Sequence, residues 1–184
     1  MSKKIVTPMT GAKAAELRAG DFVEISGVIY AARDAAHRRM QELLDSGEPL
    51  PFEIANSVIY YMGPCPAKPG QVIGSAGPTT SSRMDSYTPR LIECGLRGSI
   101  GKGKRSPEVI EAMMAHQAVY FGAIGGAGAL IAGCVRSQRV IAFEELGAEA
   151  LRELVVERFP AVVVIDTLGN NLYESEVKKY RQIE

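Results

Sequence analysis

The chain has 184 residues, enough for one well-buried core and too few for two full domains, so we predict a single domain over 1–184. Lysine plus arginine number 21 and aspartate plus glutamate number 21, so the formal charge is zero, which argues against nucleic acid or an anionic membrane as the main partner. The start of the chain lacks the apolar run of a signal peptide, and no stretch approaches the roughly 18 apolar residues of a membrane span, so a cytoplasmic protein is expected.

Strand-like and helix-like segments alternate along the sequence. β-Branched and aromatic residues mark the strands, of which 21–31 and 57–62 are the clearest. Apolar residues three or four positions apart from Leu151 to Phe159 predict an amphipathic helix over 148–159. In full, strands are predicted at 4–9, 21–31, 57–62, 97–100, 118–124, 140–143 and 161–166, and helices at 12–19, 33–46, 89–94, 107–117, 129–134, 148–159 and over the last ten residues.

The segment Gly74–Arg83 (GSAGPTTSSR) has the composition of an anion-binding loop. Its glycines and proline build a tight turn that lets a ligand approach the backbone closely. A run of hydroxyl side chains follows, and Arg83 adds a planar cation that can bind two oxygens at once. These donors favour a small carboxylate or phosphate, although a plain Gly/Ser/Thr surface loop would have the same composition.

Two further segments carry cations at the ends of predicted elements. Arg33 and His37 are four positions apart at the start of a predicted helix, and therefore share a face just after a strand. Lys102 and Lys104 lie in a glycine-rich turn before another predicted helix, where backbone N–H groups also favour anions. Each segment is equally compatible with a solvated basic surface when it is taken alone.

The sequence matches neither of two nucleotide-binding motifs, and its cysteine spacing does not indicate a disulfide framework. Gly126 and Gly128 would need a third glycine at position 131 for a dinucleotide motif, but that residue is Ile131, and no P-loop run occurs. The cysteines are widely spaced and form no CxxC pair, so neither disulfides nor metal-cluster ligation by this chain is expected. Free cysteines are commonly small buried apolar residues. The three cysteines of this chain are Cys65, Cys94 and Cys134.

Four groups of residues point to one family: Arg33–Arg39 (RDAAHRR), Gly77–Thr80 (GPTT) with Arg83–Tyr87 (RMDSY), Gly101–Gly103 (GKG), and Asp166 with Gly169–Asn170. Together they resemble the β subunit of the class I iron–sulfur hydro-lyases, which is equivalent to the C-terminal domain of single-chain class I fumarases. The resemblance covers nearly the whole chain. It implies a mixed α/β fold of the swivelling β/β/α type, a single domain whose central sheet is flanked by helices.

The resemblance also implies an activity, the reversible hydration of a small dicarboxylate such as fumarate to L-malate. The [4Fe–4S] cluster of that family lies on an α subunit, so this chain would be active only with that partner, as a heterodimer or an α2β2 assembly. Thr79 would move the proton at the carbon next to a carboxylate. Arg33, Arg83 and Lys102 would bind the substrate carboxylates. Further residues implied near the site are His37, Thr80, Asp85 and Lys104, the last as an alternative to Lys102.

Several substrates remain open at this point. The loop Gly63–Pro69 and the run Arg83–Tyr87 are more similar to fumarases than to tartrate dehydratases, which makes fumarate hydratase the first expectation. The β subunit of L(+)-tartrate dehydratase or mesaconate hydratase is the alternative, because the substrates of these enzymes differ only by a methyl or a hydroxyl group. A carboxylate-binding module without catalysis is a further alternative, since the same anion-binding loops would serve it equally well.

Overall fold

A seven-stranded sheet is the central element of the computed structural model, which describes residues 2–181. The strands are β1 Lys3–Val6, β2 Phe22–Ala31, β3 Val58–Tyr60, β4 Gly98–Gly101, β5 Val119–Gly122, β6 Val135–Ala142 and β7 Leu151–Ile165. The α-helices are α1 Gly11–Ala15, α2 Asp34–Asp45, α3 Thr88–Glu93, α4 Pro107–His116, α5 Gly128–Ala132 and α6 Leu172–Tyr180. Ser81–Met84 and Glu144–Glu149 form 3-10 turns. Within the described range, no helix has both the length and the apolar character that crossing a bilayer demands.

The sheet closes partly on itself. The strand order is β1-β2-β3-β4-β5-β7-β6, and β7 also pairs with β2, so that β2, β3, β4, β5 and β7 form a barrel-like ring. Strands β1 to β5 are parallel to one another, whereas β7 is antiparallel to β2, β5 and β6. The carboxyl ends of β2, β3, β4 and β5 therefore meet at one rim, the position at which ligands bind in open parallel sheets. This rim is called the carboxyl rim below.

Alternation along the strands sends side chains to two apolar clusters, one on each face of the sheet. Along β3, Val58 and Tyr60 belong to the first cluster, whereas Ile59 belongs to the second. Helices α2 and α3 cover the second cluster with side chains such as Met40 and Leu91. The expected mixed α/β fold, with a central sheet flanked by helices, is confirmed.

The segment 148–159, predicted as an amphipathic helix, instead lies largely in strand β7, so that prediction is wrong. Backbone groups of β7 hydrogen-bond to β2 and to β6. Hydrogen-bond ladders on both edges of a strand outweigh a weak local preference for helix, and valine and phenylalanine fit a pleated surface well.

A bulge in β7 accounts for part of the misleading apolar spacing, the step between Val156 and Phe159. Phe159 pairs with Ile25, and Val156 pairs with Gly27, so β7 uses one residue more than β2 over this interval. Arg158 lies in the bulge and has a φ of 51°. The buried side chains of Val156 and Phe159 therefore step by three positions instead of two, which imitates the period of a helix.

The other predicted elements are present with shifted ends. Strand β6 begins at Val135 instead of position 140, because its pairing with β7 extends further than its apolar residues suggest. The predicted strand 4–9 already ends at Val6. The strand predicted at 161–166 is the second half of β7. The helix expected over the last ten residues is the end of α6, and its final positions, 182–184, lie outside the described residues.

Candidate functional site

Thr79 and Lys102 are joined through their backbones at the carboxyl rim, beside the ends of β3 and β4. The Thr79 N–H donates to the carbonyl oxygen of Tyr61 at 2.7 Å, and the Lys102 N–H donates to the carbonyl oxygen of Thr79 at 3.3 Å. The Ser81 N–H donates to the carbonyl oxygen of Lys102 at 2.8 Å. The loop therefore lies beside the end of β4, and the Thr79 hydroxyl and the Lys102 ammonium start from neighbouring backbone positions.

The loop that carries Thr79 is packed so closely against other segments that glycine is required at Gly74 in the loop and at Gly128, which contacts it. A Cβ on Gly74 would lie 2.2 Å from the carbonyl oxygen of Cys65, and one on Gly128 would lie 2.4 Å from Ser75 Oγ. The Ala76 N–H donates to the carbonyl oxygen of Gly128 at 3.0 Å. The loop is thus held between the segment Gly63–Pro69 and the start of α5, and these contacts fix its shape before a ligand binds.

Arg33 and Arg83 meet at the carboxylate of Asp34. Arg83 Nη2 donates to Asp34 Oδ2 at 2.5 Å, and Arg33 Nε lies 3.8 Å from Asp34 Oδ1. The side chain of Arg83 is 47% exposed and that of Arg33 is 23% exposed. A protein carboxylate therefore lies between the two arginines that the sequence predicts to bind carboxylates, and both guanidinium groups remain partly open to solvent.

Lys102 and Lys104 are both exposed, and contacts with neighbouring loops are seen for Lys102. A Cβ placed on Gly125 would lie 3.7 Å from Lys102 Cδ and 3.9 Å from its Nζ, so Lys102 reaches from the end of β4 to the loop after β5. Lys102 also shares the backbone hydrogen bond with Thr79 described above. Thr80 is exposed, and its backbone bridges to Lys102. Lys102 therefore remains the better candidate for a substrate contact.

Asp85 belongs to a buried network instead of the open rim. Its carboxylate oxygens accept hydrogen bonds from Arg105 Nε and from the Ser106 N–H, both at 2.7 Å. The side chain of Arg105 is fully buried. Its other hydrogen bonds go to Ser99 Oγ at 3.0 Å, Tyr61 Oη at 3.3 Å and Thr88 Oγ1 at 2.8 Å.

Sequence reasoning missed Arg105. Its guanidinium lies over the rings of Tyr61 and Tyr120, with distances of 5.2 and 5.1 Å to the ring centroids. Tyr61 also accepts the backbone hydrogen bond of Thr79, so Arg105 helps to fix the residue on which the Thr79 backbone rests. No signal in the sequence separates this buried cation from the exposed Lys104 beside it, since both belong to one basic, glycine-rich run.

His37 is buried and holds the backbone at Arg33. Its Nδ1 lies 2.8 Å from the carbonyl oxygen of Arg33, which can only accept, so Nδ1 carries the proton. Its Nε2 is buried and has no hydrogen-bond partner among residues 2–181. Burial lowers the pKa of His37 to about 4, against the opposing effect of the Arg33 carbonyl. The His37 imidazole is therefore neutral at pH 7 and adds no positive charge beside Arg33.

We expect protonation of His37 to destabilise the fold. Because its pKa of about 4 in the folded chain lies below the ordinary 6.5, the unfolded chain binds more protons between these values. The contribution of His37 to stability is complete above pH 6.5 and is lost as the pH falls towards 4. The free energy of unfolding should fall by at most about 1.4 kcal/mol per pH unit from this one group.

A His116→Gln variant leaves His37 as the single histidine for an NMR titration. The imidazole signal of His37 should stay in its neutral form down to about pH 5. In urea unfolding, a His37→Gln variant should show a shallower loss of stability than its parent between pH 6.5 and 4. A titration midpoint near 6.5 would contradict the neutral, buried imidazole.

The three cysteines do not fit a metal cluster. Cys94 packs against one of the two apolar clusters, Cys134 packs against the other, and Cys65 is exposed in the proline-rich loop. Among residues 2–181, no three His, Cys, Asp or Glu side chains converge as metal ligands would. Burial raises the pKa of the Cys134 thiol, which disfavours the thiolate that ligation requires. This chain therefore has no ligand set for an iron–sulfur cluster in its described part.

The fold is a barrel-like α/β domain whose carboxyl rim carries Arg33 and Arg83 beside Asp34, and Lys102 beside Thr79. Residues 3–176 match the profile of the family described as the fumarase C-terminus, and the chain belongs to this family. The expected family membership is thereby confirmed.

The relatives divide into long and short chains. Fumarate hydratase 2 of Leishmania major is 42% identical over 158 residues, which are 84% of this chain and 28% of that protein. The aerobic class I fumarate hydratase of Escherichia coli K12 is 40% identical over 154 residues, covering 83% of this chain and 28% of that protein. A putative L(+)-tartrate dehydratase subunit beta of Methanocaldococcus jannaschii is 40% identical over 170 residues, or 89% of this chain and 87% of that protein. The chain thus spans less than a third of the length of these fumarate hydratases, but most of the length of the beta subunit.

Proposed function

We propose that this chain is the β subunit of a class I hydro-lyase and that its substrate is a small dicarboxylate, first of all fumarate, hydrated reversibly to L-malate. The observation that carries this proposal is the arrangement at the carboxyl rim. Arg33 and Arg83 flank one protein carboxylate, and Thr79 is hydrogen-bonded to Lys102 in the adjoining loop. Three cations from three separate loops suit a dianion better than a single carboxylate.

In this proposal the arginines orient the substrate and stabilise its charge. When a proton leaves the carbon next to a carboxylate, negative charge builds on that carboxylate, and guanidinium groups already in place stabilise it without reorganising. The contact of both arginines with the carboxylate of Asp34 supports this role. Thr79 exchanges the proton with the carbon, and the nearby cations favour its alkoxide form.

The remaining part of the site is assigned to a partner. The family's iron–sulfur cofactor has no ligand set in residues 2–181, so we assign the [4Fe–4S] cluster to an α subunit that faces the carboxyl rim. The beta-subunit name of the Methanocaldococcus relative, which this chain matches over most of its length, supports a two-subunit assembly. The cytoplasmic location expected from the sequence remains part of this proposal.

A tartrate dehydratase β subunit is the second candidate. The putative tartrate dehydratase subunit beta is 40% identical to this chain, a similarity comparable to the 42% and 40% of the two fumarate hydratases. A single hydroxyl group on the substrate separates the two activities, and pocket shape decides between them.

Co-expression with an α-type chain from the same genome tests the function. The complex, reconstituted with iron and sulfide without oxygen, should hydrate fumarate or dehydrate tartrate, whereas this chain alone should be colourless and inactive. Fumarate, mesaconate and L(+)-tartrate assayed side by side identify the substrate. A complex that converts none of them, together with dicarboxylate binding by this chain alone, would instead establish a binding module.

A further inference from the structure

The loop between β6 and β7, residues 143–150 and here called the strap, contacts the start of helix α2. Its last acidic residue, Glu149, lies 116 positions from Arg33 in the sequence, by subtraction of their numbers. Even so, Glu149 Oε1 is 3.1 Å from Arg33 Nη2. Its other oxygen accepts a hydrogen bond from the Ala35 N–H at 3.3 Å. One carboxylate therefore contacts both a predicted substrate-binding arginine and the helix that carries it.

Helix α2 has no side-chain cap of its own. Arg33 occupies the N-cap position and makes no capping hydrogen bond, so the first N–H groups of the helix lack the usual serine, threonine or aspartate acceptor. Glu149 provides a negative charge at this positive end of the helix. The same contact fixes the Arg33 side chain relative to the first turn of α2.

Arg33 is also confined on its other side. A Cβ on Gly63 would lie 2.9 Å from Arg33 Cδ and 3.0 Å from the carbonyl oxygen of Ala148, the residue before Glu149. The Arg33 side chain thus passes through a narrow gap between the loop after β3 and the strap. Only a glycine at position 63 leaves room for this arrangement without displacing one of its walls.

We propose that Glu149 is a positioning residue that holds the Arg33 guanidinium ready for one carboxylate of the substrate. This inference rests on the proposed function, in which Arg33 binds substrate. Asp34, the other carboxylate near Arg33, is 3.8 Å away and is already hydrogen-bonded to Arg83, so Glu149 is the closer partner. Without the Glu149 charge, Arg33 can swing towards Asp34, and the two carboxylate-binding arginines lose their spacing.

A Glu149→Gln variant of the α–β complex tests this role. Glutamine keeps an oxygen for the Ala35 N–H, so the helix cap survives, whereas the charge that holds Arg33 is lost. We expect kcat/KM for the dicarboxylate to fall about tenfold, the worth of one charge-assisted hydrogen bond, because a displaced Arg33 binds the substrate and stabilises its developing charge less well. Glu149→Asp, which keeps the charge, should recover part of the lost kcat/KM.

The strap offers a matched control in Glu145, which pairs with Arg39 between the same two elements. A Glu145→Gln variant removes a similar ion pair without touching Arg33, so its kcat/KM should equal that of the parent. Competitive inhibition adds a second measurement. The preference of the Glu149→Gln complex for succinate over butyrate should fall about tenfold, because only the dicarboxylate needs both binding groups.

The outcomes separate this inference from the proposed function. If the parent complex converts none of the three substrates, the proposed function fails and the role of Glu149 fails with it. If the parent is active and Glu149→Gln behaves like Glu145→Gln, the positioning role alone is overturned. An equal loss of succinate and butyrate binding, or a loss of kcat/KM that Glu149→Asp does not relieve, would also overturn it, because either result indicates a general structural role.

Discussion

Replacing Arg105 with methionine is expected to lower the free energy of unfolding by about 3–5 kcal/mol, the usual cost of removing one partner from a buried ion pair. The Arg105 side chain is fully buried and Asp85 is 12% exposed, so the variant leaves a nearly buried carboxylate without its cation. The hydroxyl groups of Tyr61 and Thr88 also lose a donor. Urea unfolding followed by circular dichroism measures the change. Lysine should not rescue this position, because the ammonium cannot reproduce the planar fork of donors.

Arg90→Met is the matched control for this experiment. Arg90 is exposed on α3, and its loss should change stability by less than about 0.5 kcal/mol. Adding Asp85→Asn to Arg105→Met should restore part of the stability, because the stranded charge is removed. Equal stability of the Arg90 and Arg105 variants would show that the buried network does not support the fold.

Replacing Thr79 with alanine in the active complex is expected to lower kcat by about 10²–10⁴-fold, the usual contribution of one positioned proton-transfer group. KM should change little, because the cations proposed to bind the carboxylates remain in place. The backbone of Thr79 is hydrogen-bonded to both Tyr61 and Lys102, so its hydroxyl is presented by a rigid segment. Steady-state kinetics in both directions of the reaction would measure the effect.

Thr80→Ala is the neighbouring control. Thr80 is exposed and lies opposite Lys102, and the backbone hydrogen bonds to Lys102 come from Thr79 and Ser81 on either side, so its replacement removes a hydroxyl without disturbing the loop. Turnover in this variant should stay within about threefold of the parent, as for a residue outside the proton transfer. Unaltered turnover in Thr79→Ala, or equal losses in the two variants, would remove Thr79 from the mechanism.

The fold was predictable wherever local signals and tertiary pairing agree. The β-branched runs of β2 and β3 are strands both by pattern and in the structure. Strand β7 was not predictable, because the bulge at Arg158 changes which side chains are buried and so imitates helical spacing. A bulge is specified by the partner strand β2, and single-sequence periodicity carries no information about that partner.

The cations of the candidate site could be named from the sequence, but not the groups that hold them. Arg33, Arg83 and Lys102 stand out because they follow strands or glycine-rich turns. Nothing in the sequence indicates a partner for Asp34, yet it pairs with Arg83. Glu149 gave no signal at all, since its contact with Arg33 requires the strap to cross to α2. The roles of these residues in substrate binding stay predictions until the complex is assayed.

The sequence by itself determined the residue types and their local spacing: a formally neutral chain with anion-suited loops, and a resemblance to a family that the profile match confirms. Only the tertiary structure decided which cations share one rim, because parallel strands β2, β3 and β4 bring distant loops to the same edge. It also decided that Arg105 is buried while the adjacent Lys104 is exposed. The physical reason is the same in both cases: the type of a residue fixes its charge, whereas its burial and its interaction partners depend on strand pairing between segments far apart in the chain.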